Sequence, residues 1–105
     1  MEIFQKIINR EIPSEIIYED DKTIAFLDIN PKRKGHFLVV PKIQSTNFID
    51  IDEEGFVNLM KKVKFLSNKY IKDNNKSGYN IEVNNGKEAG QEIFWTHVHV
   101  IPSDK

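Results

Sequence analysis

Between Asp52 and Ile71 the chain carries one long helical period. Apolar side chains recur at Phe56, Leu59, Met60, Val63, Leu66, Tyr70 and Ile71, the spacing of a single helix face. Asp52 suits the N-cap, and Glu53 and Glu54 suit the positive end of the helix dipole. The stripe reads as core. The opposite face, with Lys61, Lys62, Lys64, Lys69 and Lys72, reads as solvated, and Asp73-Asn74-Asn75-Lys76-Ser77-Gly78 ends the helix. Everything else is short. Ile3, Phe4, Ile7 and Ile8 share a face of a helix over 3–10, closed by Pro13. Strands are expected over 15–19 and 23–28 around the hairpin loop Asp20-Asp21-Lys22. A turn over 30–35 leads into a strand over 36–40 that stops at Pro41, and further strands are expected over 79–84 and 96–101. One long amphipathic helix and five short strands describe an α+β fold, a five-stranded antiparallel sheet with two helices.

At 105 residues the chain is expected to form a single domain, 1–105. A hydrophobic fraction of 39% against 30% charged residues is that of an ordinary water-soluble globule. The net charge of −1 gives no broad field for nucleic acid or an anionic membrane, so neither is an expected partner. There is no cysteine, hence no disulfide scaffold. The first residues lack the apolar run of a signal peptide, and no stretch reaches membrane length, so the cytoplasm is the expected compartment.

The chemistry concentrates near the C-terminus, in Trp95-Thr96-His97-Val98-His99-Val100-Ile101-Pro102. On a strand of period two, His97 and His99 point to one face. One imidazole can then act as nucleophile while the other manages charge or protons. Upstream, Asn84-Asn85-Gly86-Lys87-Glu88-Ala89-Gly90-Gln91 is a turn rich in backbone donors, suited to a phosphate. Such a histidine pair can equally be packed or solvated without chemistry. A metal site needs three or four ligands. The remaining histidine, His36, falls on a different expected strand, so no metal and no cofactor is expected.

Four blocks in order resemble the histidine triad (HIT) nucleotide-binding proteins: Phe26-Leu27-Asp28-Ile29-Asn30-Pro31, Gly35-His36-Phe37-Leu38-Val39-Val40-Pro41-Lys42, Ala89-Gly90-Gln91-Glu92-Ile93-Phe94 and His97-Val98-His99-Val100-Ile101-Pro102. The resemblance runs from about Phe4 to Pro102. It implies a HIT-like sheet doubled across a two-fold homodimer. It also implies a hydrolase or transferase that binds purine nucleotides such as AMP and cleaves nucleoside phosphoramidates or phosphoanhydrides. His97 resembles the family's nucleophile, which carries the nucleotidyl group transiently. His99 resembles the last histidine of the triad, and Gln91 the glutamine near the scissile bond. Asn84, Gly90 and Glu92 fall in the phosphate-binding region. Asp28 resembles the carboxylate that grips the ribose hydroxyls, and Phe4, Phe26 and Ile29 fall where the family lines its purine slot. The residue types agree with these roles. A neutral imidazole is a good nucleophile near pH 7, and phosphoryl transfer needs mostly positioning and donors. The alternatives are that Asp28 only caps the turn before Pro31, that Phe26 is core, and that the protein binds nucleotide with little or no catalysis.

The chain also departs from the family pattern. Trp95 stands in place of the first triad histidine, Gln44 where a block often ends in histidine, and Glu2-Ile3-Phe4-Gln5 where many members carry Cys-x-x-Cys. In metal-binding members those cysteines and histidines form one zinc site, so their joint absence implies a zinc-free relative. The loss of the first histidine bears on how His97 is oriented. Ser103 replaces an arginine found in many members, and Lys105 is the last residue where many relatives continue. Family tails shape substrate choice.

Overall fold

The computed structural model describes residues 2–104, and for Glu2 the backbone alone. The elements run α1 (Glu2–Ile8), β1 (Ile16–Glu19), β2 (Thr23–Leu27), β3 (Phe37–Pro41), α2 (Glu53–Asp73), β4 (Gly78–Glu82) and β5 (Val98–Ser103), with a 3-10 turn at Lys87–Ala89 before the last strand. The five strands form one antiparallel sheet in the order β1-β2-β3-β5-β4. The α+β class and both helices agree with the sequence reading; the boundaries move by up to two residues.

The central strands bury both faces. In β3, Phe37 and Val39 face α2, and Leu38 and Val40 face the other way. The same alternation divides β2, with Ala25 toward α2 and Ile24 and Phe26 opposite. Leu59, Val63 and Leu66 of α2 complete one core layer with Val98 and Val100 of β5. Each such side chain contributes about 1.5–3 kcal/mol of burial. Phe4 and Ile7 of α1 and Trp95 complete the second layer, over Ile24, Phe26, Leu38 and Val40. His99 is register partner to Leu38 and therefore shares the α1 side of the sheet.

Three expectations need correction. Asp52 caps α2 through a bond from the Gly55 amide, but Phe56 stays at the rim of the stripe, edge-on to Phe48 with ring centres 5.0 Å apart. Lys62 is not a solvated lysine: its ammonium binds Asp20 Oδ2 at 3.1 Å and the Tyr18 hydroxyl at 3.2 Å, tying α2 to the first hairpin. β5 runs on through Pro102 to Ser103. Its pairing to β3 ends at Val100, so Pro102 lies where the strand has a neighbour on one side only and the missing N–H is tolerated.

The turn from β2 into β3 is held tightly. Gly35 has φ +88°, and a Cβ there would stand 2.3 Å from the Tyr70 hydroxyl, so both conformation and space demand glycine. Lys32 binds Glu82 at 2.7 Å and Arg33 binds Asn80 at 2.8 Å, fastening the turn to β4.

Candidate active site

His97 immediately precedes β5, and His99 lies within it. Their rings sit on one face with centres 5.0 Å apart. His97 Nδ1 lies 2.7 Å from the Trp95 carbonyl oxygen. A carbonyl only accepts, so this geometry assigns the proton to Nδ1 and leaves the lone pair on Nε2. Burial lowers the His97 pKa below its usual value, against the raising effects of the Trp95 carbonyl and Asp28. A neutral imidazole with its Nε2 lone pair uncommitted is the form a nucleophile requires.

The sequence reading leaves His36 outside the site, and the structure brings it into the centre. It is 2% exposed, and its Nε2 lies 3.0 Å from His99 Nδ1. The Lys32 amide donates to His36 Nδ1 at 3.0 Å. His36 therefore keeps its proton on Nε2 and donates it to His99 Nδ1, which leaves His99 with its proton on Nε2. Burial pushes the His99 pKa down to about 4, helped by His97 and His36 and opposed by Asp28 and Glu82. Burial also lowers that of His36, against the pull of Asp28. The available signal was the Gly35-His36 step, which closes the turn opened by Asp28. What hid it was strand order, because β3 and β5 are neighbours in the sheet and distant in sequence.

Asp28 joins this group with divided duties. Its Oδ1 accepts from the Asn30 amide at 2.9 Å, so the turn cap is real. Its Oδ2 lies 3.5 Å from His36 Nε2 and 3.8 Å from His99 Nδ1. Asp28, His36 and His99 are close enough together for their ligand atoms to share a metal ion. The tautomer argues against that use. A neutral His36 that accepts the Lys32 amide at Nδ1 carries hydrogen, not a lone pair, on the nitrogen facing the group.

The other expected site residues fall into three sets. Phe4 and Phe26 are 2% and 3% exposed and pack edge to face, with ring centres 5.7 Å apart. Phe26 is part of the core, and Phe4 lies between it and the His97 ring. Ile29 is 81% exposed. Gln91 is buried with its side chain fully engaged: Oε1 accepts from the Asn47 amide group and the Gly86 amide, and Nε2 donates to the Thr46 and Ile93 carbonyls. Its geometry is that of a brace for the turn, not of a group turned to a substrate. The turn itself is no open cradle. The amides of Ala89, Gly90 and Gln91 are spent on the Gly86 and Lys87 carbonyls. Gly90 adopts φ +91°, and a Cβ on it would lie 3.8 Å from the Asn84 amide nitrogen, so these two lie side by side. Glu92 is exposed.

Among the described side chains, the zinc positions of the metal-binding relatives at residues 5, 44 and 95 do not fit a metal. Trp95 is 2% exposed and its indole N–H donates to the Pro41 carbonyl at 2.9 Å. Gln5 and Gln44 are exposed, and Gln5 bonds to Asn9. An indole has no lone pair to give, and a carboxamide is a poor match for the nitrogen and sulfur ligands zinc selects. Loss of the first triad histidine also leaves the His97 orientation intact, because the residue 95 backbone supplies the bond to Nδ1.

Comparison with known proteins agrees with this architecture. The HIT domain model matches residues 9–105. An uncharacterised HIT-like protein of Methanocaldococcus jannaschii is 48% identical over 100 residues, covering 95% of this chain and 77% of the relative. Among solved structures, a hypothetical histidine triad nucleotide-binding protein from Sulfolobus tokodaii superimposes with a TM-score of 0.93 at 40% identity, covering 97% of this chain and 68% of that one. A HIT family hydrolase from Clostridium thermocellum superimposes with a TM-score of 0.85 at 37% identity, covering 96% and 89%. With its fold, its paired histidines and these matches, the chain belongs to the HIT, or histidine triad, family.

Proposed function

We propose that the protein is a nucleotide hydrolase or nucleotidyl transferase that cleaves phosphoramidates or phosphoanhydrides of purine nucleoside monophosphates. The observation that carries this reading is the bond from His97 Nδ1 to the Trp95 carbonyl, which leaves Nε2 as a neutral nucleophile. Nε2 attacks the α-phosphorus, and the leaving group departs with the bonding pair and takes up a proton from water. The nucleotidyl-imidazolium that forms keeps its Nδ1–H on the Trp95 carbonyl, which stabilises the new positive charge. Water then attacks phosphorus, releasing the nucleoside monophosphate and neutral His97. The Nε2–H of His99 is the donor for a phosphoryl oxygen as charge builds on it. Asp28 takes the ribose hydroxyls, Asn84 and Gly90 form one wall of the phosphate region, and Gln91 acts by holding their turn in shape.

The homodimer belongs to the same proposal and rests on the family resemblance, and the cytoplasmic setting is proposed with it. Among the described residues no helix is long and apolar enough to cross a membrane. The test is turnover of an adenosine phosphoramidate by the wild type and His97→Ala, with acid-free trapping of the covalent nucleotidyl-protein. A trapped adduct in the wild type supports the reading. Saturable AMP binding with neither adduct nor turnover identifies a binding module instead.

A further inference from the structure

We infer that Trp95 is a positioning residue that joins α1, the end of β3 and the approach to β5 without a metal, and thereby fixes the His97 imidazole. Three contacts carry this. The indole N–H is bound to the carbonyl of Pro41, the last residue of β3. The indole ring meets the Phe4 ring of α1 at 6.4 Å and 71°. The Trp95 carbonyl receives the Nδ1 proton of His97. The Phe4 ring, held by Trp95 and Phe26, then closes on the His97 ring at 5.2 Å and 82°. His97 is gripped from two directions, and Trp95 takes part in both.

The three elements joined are those that the zinc ligands of metal-binding relatives would join: the N-terminal block, the segment after Pro41 and residue 95. A metal holds such elements by coordination, and here a hydrogen bond and ring packing do so. Nearby bonds fasten the same seam: the Thr96 amide donates to the Ser45 carbonyl at 2.8 Å, and the two hydroxyls of these residues meet at 2.5 Å. The side chain of Trp95 matters to chemistry because it is anchored at both ends. A backbone carbonyl attached to an anchored residue holds its place to a fraction of an ångström, the tolerance that an attacking nitrogen needs. Without the anchor, the His97 ring is free to exchange tautomers and lose the lone pair on Nε2. The titratable groups facing His97 are Asp28, from the loop after β2, which raises its pKa, and His99 of β5, whose ring lies against it. The α1 side presents the uncharged Phe4 ring.

This inference rests on the reading of His97 as nucleophile, and its test separates the two. Trp95→Phe keeps a ring against Phe4 and deletes the bond to Pro41; Phe4→Leu loosens the opposite end. Heteronuclear NMR of the His97 imidazole at neutral pH reads the tautomer directly. The wild type is expected to show one tautomer with Nε2 unprotonated, and both variants a mixture. In turnover, kcat is expected to fall about tenfold or more while KM and AMP affinity stay within about twofold. Chelator leaves the wild-type kcat unchanged. The inference is overturned if the variants only melt earlier while the His97 tautomer and kcat hold. It is also overturned if Phe4→Leu raises KM at constant kcat, which is the purine-slot role, or if purified protein holds a metal whose removal lowers kcat. A wild type that turns over no phosphoramidate or phosphoanhydride removes the hydrolase reading, and the tautomer measurement then decides the role of Trp95 alone.

Discussion

His36 donates its Nε2 proton to Nδ1 of His99 across 3.0 Å, and the backbone amide of Lys32 determines that it must. One peptide N–H thus sets the proton positions of two imidazoles in series. His97 receives the opposite assignment from a carbonyl, so neighbouring rings on one sheet face end with different free atoms: a lone pair on His97 and a hydrogen on His99.

His97→Ala is expected to abolish turnover while AMP affinity changes by no more than about 1–2 kcal/mol, because the phosphate is held mainly by other donors. A hydrolysis assay beside calorimetric binding of AMP checks this. Retained turnover would end the mechanism.

Stability should fall on mild acidification. His97, His99 and His36 all have folded-state pKa values below the unfolded value of 6.5, each mainly through burial. The unfolded chain therefore binds protons first. The native state has its full advantage above pH 6.5 and loses it as pH drops toward about 4, where His99 titrates in the fold. For His99 alone the loss approaches about 3 kcal/mol. Urea melts from pH 7.5 to 4.5 test this, and Lys32→Pro, which removes the amide donor to His36, should flatten the dependence if it folds. The acid limb of kcat/KM should likewise lie below pH 6.5, since burial lowers the His97 pKa from that value.

Asp28 has two roles that substitution can pull apart. Asp28→Asn keeps an oxygen for the Asn30 amide but loses the charge; Asp28→Ala loses both. Asn should melt near the wild type, and Ala should lose about 0.5–1.5 kcal/mol with the cap. Both should weaken AMP by about 1.5–3 kcal/mol and shrink the preference for AMP over dAMP. An unchanged ribose preference in both would confine Asp28 to the turn.

Gly35→Ala should destabilise the protein by about 2 kcal/mol or more, through a left-handed φ and collision with the Tyr70 hydroxyl. Tyr70→Phe should recover part of that loss in the double variant, since the nearest colliding atom is gone. Strict additivity of the two substitutions in a thermal or urea melt would show that the clash carries no cost.

The sequence made some of this legible and hid the rest for physical reasons. α2, its Asp52 cap and the paired side of His97 and His99 follow from local periodicity, which a short stretch of chain already contains. His36 was missed because sheet order is non-local: the β3–β5 pairing is what brings it to His99. Phe4 and Phe26 look alike as slot or core until α1 is seen to dock on the second face of the sheet. The family resemblance puts Gln91 near the scissile bond, but its four side-chain hydrogen bonds reach residues as distant as Thr46 and Asn47. The turn over 84–91 looks rich in free amides, yet its own geometry consumes those of Ala89, Gly90 and Gln91.

The interior position of β5 also governs when the histidines can meet. β5 follows every other described strand in the chain, yet lies between β3 and β4, and the His36–His99 contact closes a separation of 63 positions. Contacts of that range form after local ones, because loop closure must be met before they contribute. Helical dichroism should therefore return before catalysis in a refolding experiment. Turnover would then time the arrival of the last strand, a step that average secondary structure does not register.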